Sequence, residues 1–379
     1  MDRSILCELV IQTMEILNFI NTNNNWEAII TNDPYNIKVS RDGNYMLLKY
    51  SQFNSDMSIP MVRECRGIIF YNNNGTYECV ARAFDKFGNY GESYAAEIDW
   101  NSAVVQEKVD GSLVKLYHHG DTWHIATNGT INAFKASVGD FEMSFGDLVY
   151  QALGCKERFN SFCQHLNKNN TYMFELVSPL SRATIYYYDT KLYYLGQRDM
   201  TTMKESNEYA DFMEEFGVLK PKVYHLNSID ECLEYVKTMT RDEEGFVIVD
   251  GDYNRIKLKS PEYLFAFHLT NNGQVTTKRI VNMIKNEQID DFLAYCPQYS
   301  DAVEEVIQAI TDIIVDMTRE AMFALCFKDL PKKEFAARIT CCKYKDFLFR
   351  VSDNNSVNPY DYIMNKPTSK IVEMIKDRK

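Results

Sequence analysis

Between about residues 45 and 259 the chain is built of short β-branched and aromatic runs broken by Asp-Gly, Asn-Gly and Gly-Asp pairs, and this punctuation restricts it to antiparallel sheets. Residues 104–108, 113–118, 123–127, 172–177, 192–195, 246–249 and 255–259 are the predicted strands. Apolar residues at three- and four-residue spacing predict helices at 141–153 and 208–216. After Tyr263 the pattern changes: Val303, Val306, Ile307, Ile310, Ile314, Met317 and Ala321 keep helical periodicity behind Ser300, the predicted N-cap. Asn271, Asn272 and Gly273 supply a turn just before, so the boundary is placed near residue 270. The expected class is α+β, with an antiparallel-sheet domain over 1–270 followed by a smaller all-helical domain over 271–379.

A length of 379 residues suits two cores, because single cores stop growing near 250 to 300 residues. Hydrophobic residues make up 45% and charged residues 25%, the balance of a chain that folds by burying apolar surface. The first twenty residues are interrupted by Glu8, Gln12 and Glu15, which makes a surface helix rather than a leader the expectation. No run of eighteen apolar residues occurs, so no membrane partner is expected. Ten scattered cysteines without a Cys-x-x-Cys pair suit reduced thiols in a cytoplasm, and the six histidines lack zinc spacing.

Net charge is −12, which excludes a protein that coats nucleic acid without specificity. The acidic excess is confined to the first part: residues 1–269 hold 25 basic and 37 acidic side chains, residues 270–379 hold 16 of each. Any nucleic-acid contact must therefore be local. One candidate lies between Lys328 and Arg350, where Lys332, Lys333, Arg338, Lys343 and Lys345 alternate with Tyr344, Phe347 and Phe349.

The sharpest local feature is Glu107, Lys108, Val109, Asp110, Gly111, Ser112. Alone, Lys-x-Asp-Gly reads as a hairpin turn behind a solvated lysine. In order around it stand Arg63-Glu-Cys-Arg-Gly67, Arg82-Ala-Phe-Asp-Lys-Phe87, Phe174-Glu-Leu176, Glu243-Glu-Gly-Phe-Val247 and Arg255-Ile-Lys-Leu-Lys-Ser260. Lys257 and Lys259 stand two apart on a predicted strand, so both side chains share one sheet face. Glu175 sits between apolar neighbours and needs a partner if that face is buried.

Taken together, these elements resemble the covalent nucleotidyltransferases, and Glu-Cys-Arg-Gly-Ile, Phe-x-Lys-Phe and Lys-x-Asp-Gly-Ser-Leu are most similar to the bacteriophage RNA ligase 1 family. The resemblance spans about residues 45–265 and continues more weakly to Leu293. It implies an ATP-grasp-like ligase domain that uses ATP and Mg²⁺, with Mn²⁺ as a substitute, and carries AMP on Lys108. It further implies Lys257 and Lys259 on the AMP phosphate, Glu175 on the ribose, and Glu244 and Asp290 on a divalent metal. Tyr50, Arg66, Lys86, Glu107, Gly111 and Tyr263 complete the implied nucleotide contacts. The implied substrate is RNA bearing 5′-phosphate and 3′-hydroxyl ends, with tRNA repair as the physiological task, handled by a monomer in a cytoplasm, that of the host for a viral protein.

An attacking lysine must first lose the proton that an unperturbed amine holds almost entirely at neutral pH. Neighbouring cations and partial burial both favour that loss. One departure stands out: relatives often carry Lys before Gly on the strand after the nucleophile, and this chain has Asn128 before Gly129. Two alternatives stay open at this stage, another covalent nucleotidyltransferase of the DNA-ligase or capping type and a catalytically silent RNA-end-binding protein. The first normally appends a β-barrel after the second lysine pair, against the helical periodicity seen from Ser300 onward.

Overall fold

The structure is a computed structural model that describes residues 14–378 except 53, 139–140, 182–183, 265–274, 296 and 354–356. The chain divides into two compact units, 1–267 and 268–379. The turn predicted at Asn271 to Gly273 lies outside the described residues, as do the first thirteen. No described helix is long and apolar enough to cross a membrane.

In the first unit three antiparallel sheets are described. The first, in order β1-β2-β3-β4, contains β1 (Ile37–Asp42), β2 (Tyr45–Tyr50), β3 (Arg66–Asn73) and β4 (Thr76–Ala81). Numbered along the chain, the remaining strands are β5 (Val104–Glu107), β6 (Ser112–His119), β7 (Thr122–Thr127), β8 (Asn170–Val177), β9 (Lys191–Asp199), β10 (Glu205–Ser206), β11 (Val223–Tyr224), β12 (Gly245–Val249) and β13 (Arg255–Lys259). The second sheet runs β10-β9-β8-β6-β7 and the third β11-β5-β12-β13. The β3–β4 hairpin turns at Asn74 and Gly75, both at positive φ, which an Asn-Gly pair adopts at little cost. Gly120, at positive φ, and Asp121 close the β6–β7 hairpin, with His119 paired to Thr122.

The first and second sheets bury apolar residues on both faces. Leu47, Ile69, Val80, Ala81, Tyr117, Ala126 and Ile131 form a cluster where strands of the first and second sheets meet. Within it Lys115 is fully buried, and its amine donates to the Gly67 carbonyl. Helices Phe145–Leu153 and Lys156–Gln164 cover the other face of the second sheet through Leu148, Val149, Phe159 and Phe162. The first of these starts at Phe145 rather than 141, because Ser144 and Asp147 form a reciprocal capping box. The helix predicted at 208–216 shortens to Phe212–Glu215.

The described part of the second unit is helical, and its longest element, Ser300–Leu325, buries Val303, Val306, Ile310, Ile313, Met317, Ala321 and Ala324. Ser300 is the first helical residue rather than the N-cap: Tyr299 holds the cap position, and Ser300 Oγ lies 3.3 Å from Glu304 Oε1.

A buried carboxylate ties the N-terminal helix Glu15–Thr22 to the first sheet. Glu64 accepts the N–H groups of Glu15 and Ile16 at 3.2 and 2.9 Å and pairs with Arg82 at 3.4 Å. Its removal leaves two helix-start N–H groups without acceptors, so Glu64→Ala is expected to destabilise the chain by about 2–4 kcal/mol in urea unfolding. The solvent-exposed Arg41–Glu27 pair is the internal control, with Glu27→Ala expected to change stability by less than about 1 kcal/mol.

Candidate active site around Lys108

β5 ends at Glu107 in the third sheet, and β6 begins at Ser112 in the second. Lys108 to Gly111 is therefore a four-residue crossing between sheets, not the hairpin that Asp-Gly suggests in isolation. The Lys108 N–H donates to Gly245 O at 2.9 Å, continuing the β5–β12 ladder by one bond. At the other end Gly111 passes hard against β8: a Cβ there would lie 2.5 Å from Leu176 O and 3.0 Å from Glu175 Cγ. Glycine is required here for space, and the close approach brings the crossing up against Glu175.

Asp110, buried within this crossing, fixes its course. Its Oδ2 accepts the N–H groups of Thr184 and Ile185 at 2.8 and 2.7 Å, and its Oδ1 accepts the Tyr263 hydroxyl at 3.2 Å. The Asp110 N–H donates to the Tyr187 hydroxyl at 3.2 Å. Burial pushes the Asp110 carboxyl up, with Glu244 adding to the effect, against the lowering pull of the two N–H donors and Lys108. In the sequence Asp110 reads only as part of a turn signal; the apolar residues flanking the tetrad are the sign of its burial.

Glu244 stands at the centre. Its Oε1 lies 2.8 Å from Lys108 Nζ and 2.7 Å from Lys259 Nζ. Its Oε2 is buried with no hydrogen-bond partner. The carboxylate is aimed by the backbone of Gly245, which sits at φ +137° where a Cβ would fall 2.1 Å from Leu258 O. The Ser260 N–H also donates to Glu244 O at 2.8 Å, locking β12 to the end of β13. Lys257 and Lys259, both buried, share one face of β13 as their spacing predicts. The Gly88 to Tyr90 segment runs alongside, through Lys257 N to Gly88 O at 3.1 Å and Tyr90 N to Lys257 O at 2.8 Å.

Glu175 lies on β8 opposite Leu113 and Tyr193. Desolvation is the main reason its carboxyl is pushed up to about 7; Lys108 and Arg66 pull it down, while Glu244 and Asp110 push it further up. The Arg66 guanidinium stacks 4.6 Å from the Phe84 ring centroid, with Nη1 buried and unpartnered. The Lys86 amine lies 5.4 Å from the ring centroid of buried Tyr50. Glu107 Oε2 accepts the Lys222 N–H at 3.2 Å. Beside the Asn128 position, a Cβ on Gly129 would lie 3.5 Å from Lys49 Nζ, so a lysine amine from β2 stands next to this turn.

The residues singled out by sequence thus fall into three groups. Lys108, Glu244 and Lys259 are in direct contact, while Glu175 and Arg66 are coupled to them through charge. Tyr263 is a buried support whose hydroxyl bonds Asp110 and Thr184 Oγ1, rather than an open contact surface. Asp290 lies on the helix Ile289–Tyr295 of the second unit. In that unit the seven cations from Lys328 to Arg350 are all exposed, but Phe347 is buried and Phe349 packs on Phe335. The aromatics of that basic stretch therefore turn largely inward.

No group of three or more His, Cys, Asp or Glu residues suited to a metal occurs among the described residues. The orphaned Glu244 Oε2 fits a divalent cation that takes its other ligands from phosphate oxygens and water, as Mg²⁺ commonly does. A partly exposed and a buried ammonium group sharing one carboxylate oxygen are also suited to receiving phosphate charge.

The raised Glu175 carboxyl has a consequence for stability. It titrates higher in the folded chain than in an unfolded one, so its contribution is fully present below the unfolded value and lost as pH rises through about 7. Glu175→Gln, which cannot ionise, is expected to gain about 1–3 kcal/mol relative to the parent between pH 5 and pH 8. Thermal unfolding of both proteins at the two pH values measures this; a constant difference contradicts the shift.

The sequence profile of the RNA ligase family matches residues 64–265, more than half of the chain. A protein of Autographa californica nuclear polyhedrosis virus, whose name pairs a polynucleotide kinase with an RNA ligase, is 32% identical over 297 residues. That match covers 73% of this chain and 41% of the viral protein, so this chain spans well under half of that relative. The RNA ligase of Rhodothermus phage RM378 is 22% identical over 365 residues, covering 77% of this chain and 81% of the phage protein. RNA ligase 1 of bacteriophage TS2126 is 25% identical over 311 residues, covering 74% and 71% respectively. The matched segment contains Lys108, Glu175, Glu244, Lys257 and Lys259, and the chain belongs to the RNA ligase family.

Proposed function

We infer that this chain is an ATP-dependent RNA ligase that works through a lysyl-AMP intermediate on Lys108. The observation that carries this reading is the single buried carboxylate of Glu244 bound at once to partly exposed Lys108 and buried Lys259. In the first step the Lys108 amine attacks the α-phosphorus of ATP. A P–N bond forms, the bond to the pyrophosphate oxygen breaks, and the amine gives up a proton. In the second, an oxygen of the RNA 5′-phosphate attacks the AMP phosphorus and the P–N bond breaks back to the amine. In the third, an RNA 3′-hydroxyl attacks the activated 5′-phosphorus, forming the phosphodiester and releasing AMP.

Each residue then has a physical task. Lys108 is held in an ion pair, so attack requires Glu244 to let go of it, and phosphate charge arriving at Lys257 and Lys259 supplies the competing attraction. Mg²⁺ or Mn²⁺, when bound at Glu244, would neutralise phosphate charge and stabilise the departing pyrophosphate. Glu175 accepts from the ribose hydroxyls as a carboxylate, and Arg66, Lys86, Tyr50 and Glu107 frame the nucleotide. Gly111 keeps the crossing close enough for Lys108 and Glu175 to serve one ligand. Tyr263 acts through Asp110, and Asp290 keeps the metal-ligand role that the family resemblance implies.

The exposed cations from Lys328 to Arg350 support a role for the second unit in choosing RNA, with tRNA ends as the implied target. Helices in place of a barrel after residue 275 favour RNA joining over the DNA-ligase and capping alternatives.

The test is incubation with α-labelled ATP and Mg²⁺. The parent is expected to take up label in an acid-labile, hydroxylamine-sensitive bond and to seal 5′-phosphate RNA in preference to nicked DNA. Lys108→Ala is expected to take up none, and Lys259→Ala to lose at least about a hundredfold in adenylylation rate. A parent that binds RNA yet never takes label would mean a silent RNA-end-binding protein instead.

A further inference from the structure

Between β8 and β9 the chain leaves the second sheet over residues 178–190, and Ser178 Oγ and Thr190 Oγ1, 2.9 Å apart, close the neck of this loop. The loop is fastened to the nucleophile's crossing. Thr184 and Ile185 donate to Asp110 Oδ2, and the Tyr187 hydroxyl accepts from the Asp110 N–H. Asp110 is two residues from Lys108, so these bonds fix the loop to the crossing that carries Lys108.

Three tyrosines follow in a row, and they divide by alternation. Tyr187 turns inward to the crossing, while Tyr186 and Tyr188 turn outward, 49% and 86% exposed. Their rings stand 5.0 Å apart at 85°, edge to face. Two large rings on a loop pinned by four hydrogen bonds thus keep much of their apolar surface facing outward at a fixed place. The groups assigned to the nucleotide phosphate, by contrast, are buried.

We propose that Tyr186 and Tyr188 form a stacking platform for the base of the RNA nucleotide that bears the 5′-phosphate. This rests on the ligase reading above. An unpaired RNA end presents flat bases, and aromatic side chains stack on them without regard to sequence, as an enzyme acting on varied ends requires. The position selects the base: a nucleotide whose 5′-phosphate reaches Lys108 has its own ring one sugar away, at the edge of the crossing where this loop is tied down. The exposed setting suits a substrate that docks from outside after Lys108 has been charged.

The test separates this platform from the ligase chemistry. Lysyl-AMP formation from α-labelled ATP is measured first for the parent, Tyr186→Ala/Tyr188→Ala and Tyr186→Phe/Tyr188→Phe. Single-turnover AMP transfer to 5′-phosphorylated RNA is then followed against RNA concentration. Adenylylation is expected to be unchanged in all three, which also reports folding, while the double alanine variant needs about tenfold more RNA for half-maximal transfer and the double phenylalanine variant does not. An RNA whose 5′-terminal nucleotide is abasic is expected to weaken the parent by the same factor and leave the double alanine variant unaffected. Should the double variant fail to form lysyl-AMP, Tyr188→Ala alone carries the comparison. Equal sensitivity of parent and alanine variant to the abasic end, unaltered RNA transfer, or a raised requirement for ATP instead would each overturn the platform. A parent that never takes label overturns the ligase reading, and the platform with it.

Discussion

The site depends on one oxygen. Glu244 Oε1 lies within 2.8 Å of two lysine amines contributed by different strand ends, and it links the nucleophile's crossing to the end of β13. A carboxylate in that place is costly to bury unless it is paired, and two ammonium groups are costly to bring together without it. Each member therefore justifies the others. The backbone follows the same requirement: Gly245 takes a conformation and a packing distance that no other residue fits, and Ser260 bonds the Glu244 carbonyl.

This arrangement places opposing tendencies on Lys108, the proposed nucleophile. The Glu244 carboxylate engages the Lys108 amine in an ion pair, whereas the proposed attack needs that amine released. Glu175 shows the same tension from the acidic side, raised by desolvation and lowered by Lys108 and Arg66. The cluster is thus a set of charges that balance one another at short range, within a chain whose acidic excess lies in the same unit. Negative charge brought to the cluster shifts that balance at every member.

Much of this was legible in the sequence. The seven predicted strands appear within a residue or two of their bounds except β9, which runs to Asp199, because β-branched and aromatic runs between turn pairs leave few other choices, whereas β1 to β4, β10 and β11 have no predicted bounds. Lys257 and Lys259 share a face because strand periodicity requires it. What periodicity does not carry is pairing between distant segments. Asp-Gly after Lys108 resembles a hairpin signal, yet β5 and β6 join different sheets, since β12 and β8 compete better for their edges. For the same reason the loop at 178–190 gave no sign that it would close over Asp110, and Tyr263 gave none that its hydroxyl would turn inward. Ser300 shows the limit of local rules, as a residue suited to capping was absorbed into the helix one step late.

The shortness of the link from Glu107 to Ser112 has a wider meaning. Four residues tether two sheets that pack on separate cores, one around Phe246 and Cys232 and the other around Phe174 and Phe162. Slack of even an ångström between those cores must be taken up by the tether, and Lys108 is its first residue. A shift of either core, far from any charged group, therefore bears on the position of this amine through no more than four residues of chain. The position of Lys108 in that sense registers the fit between the two cores of the first unit.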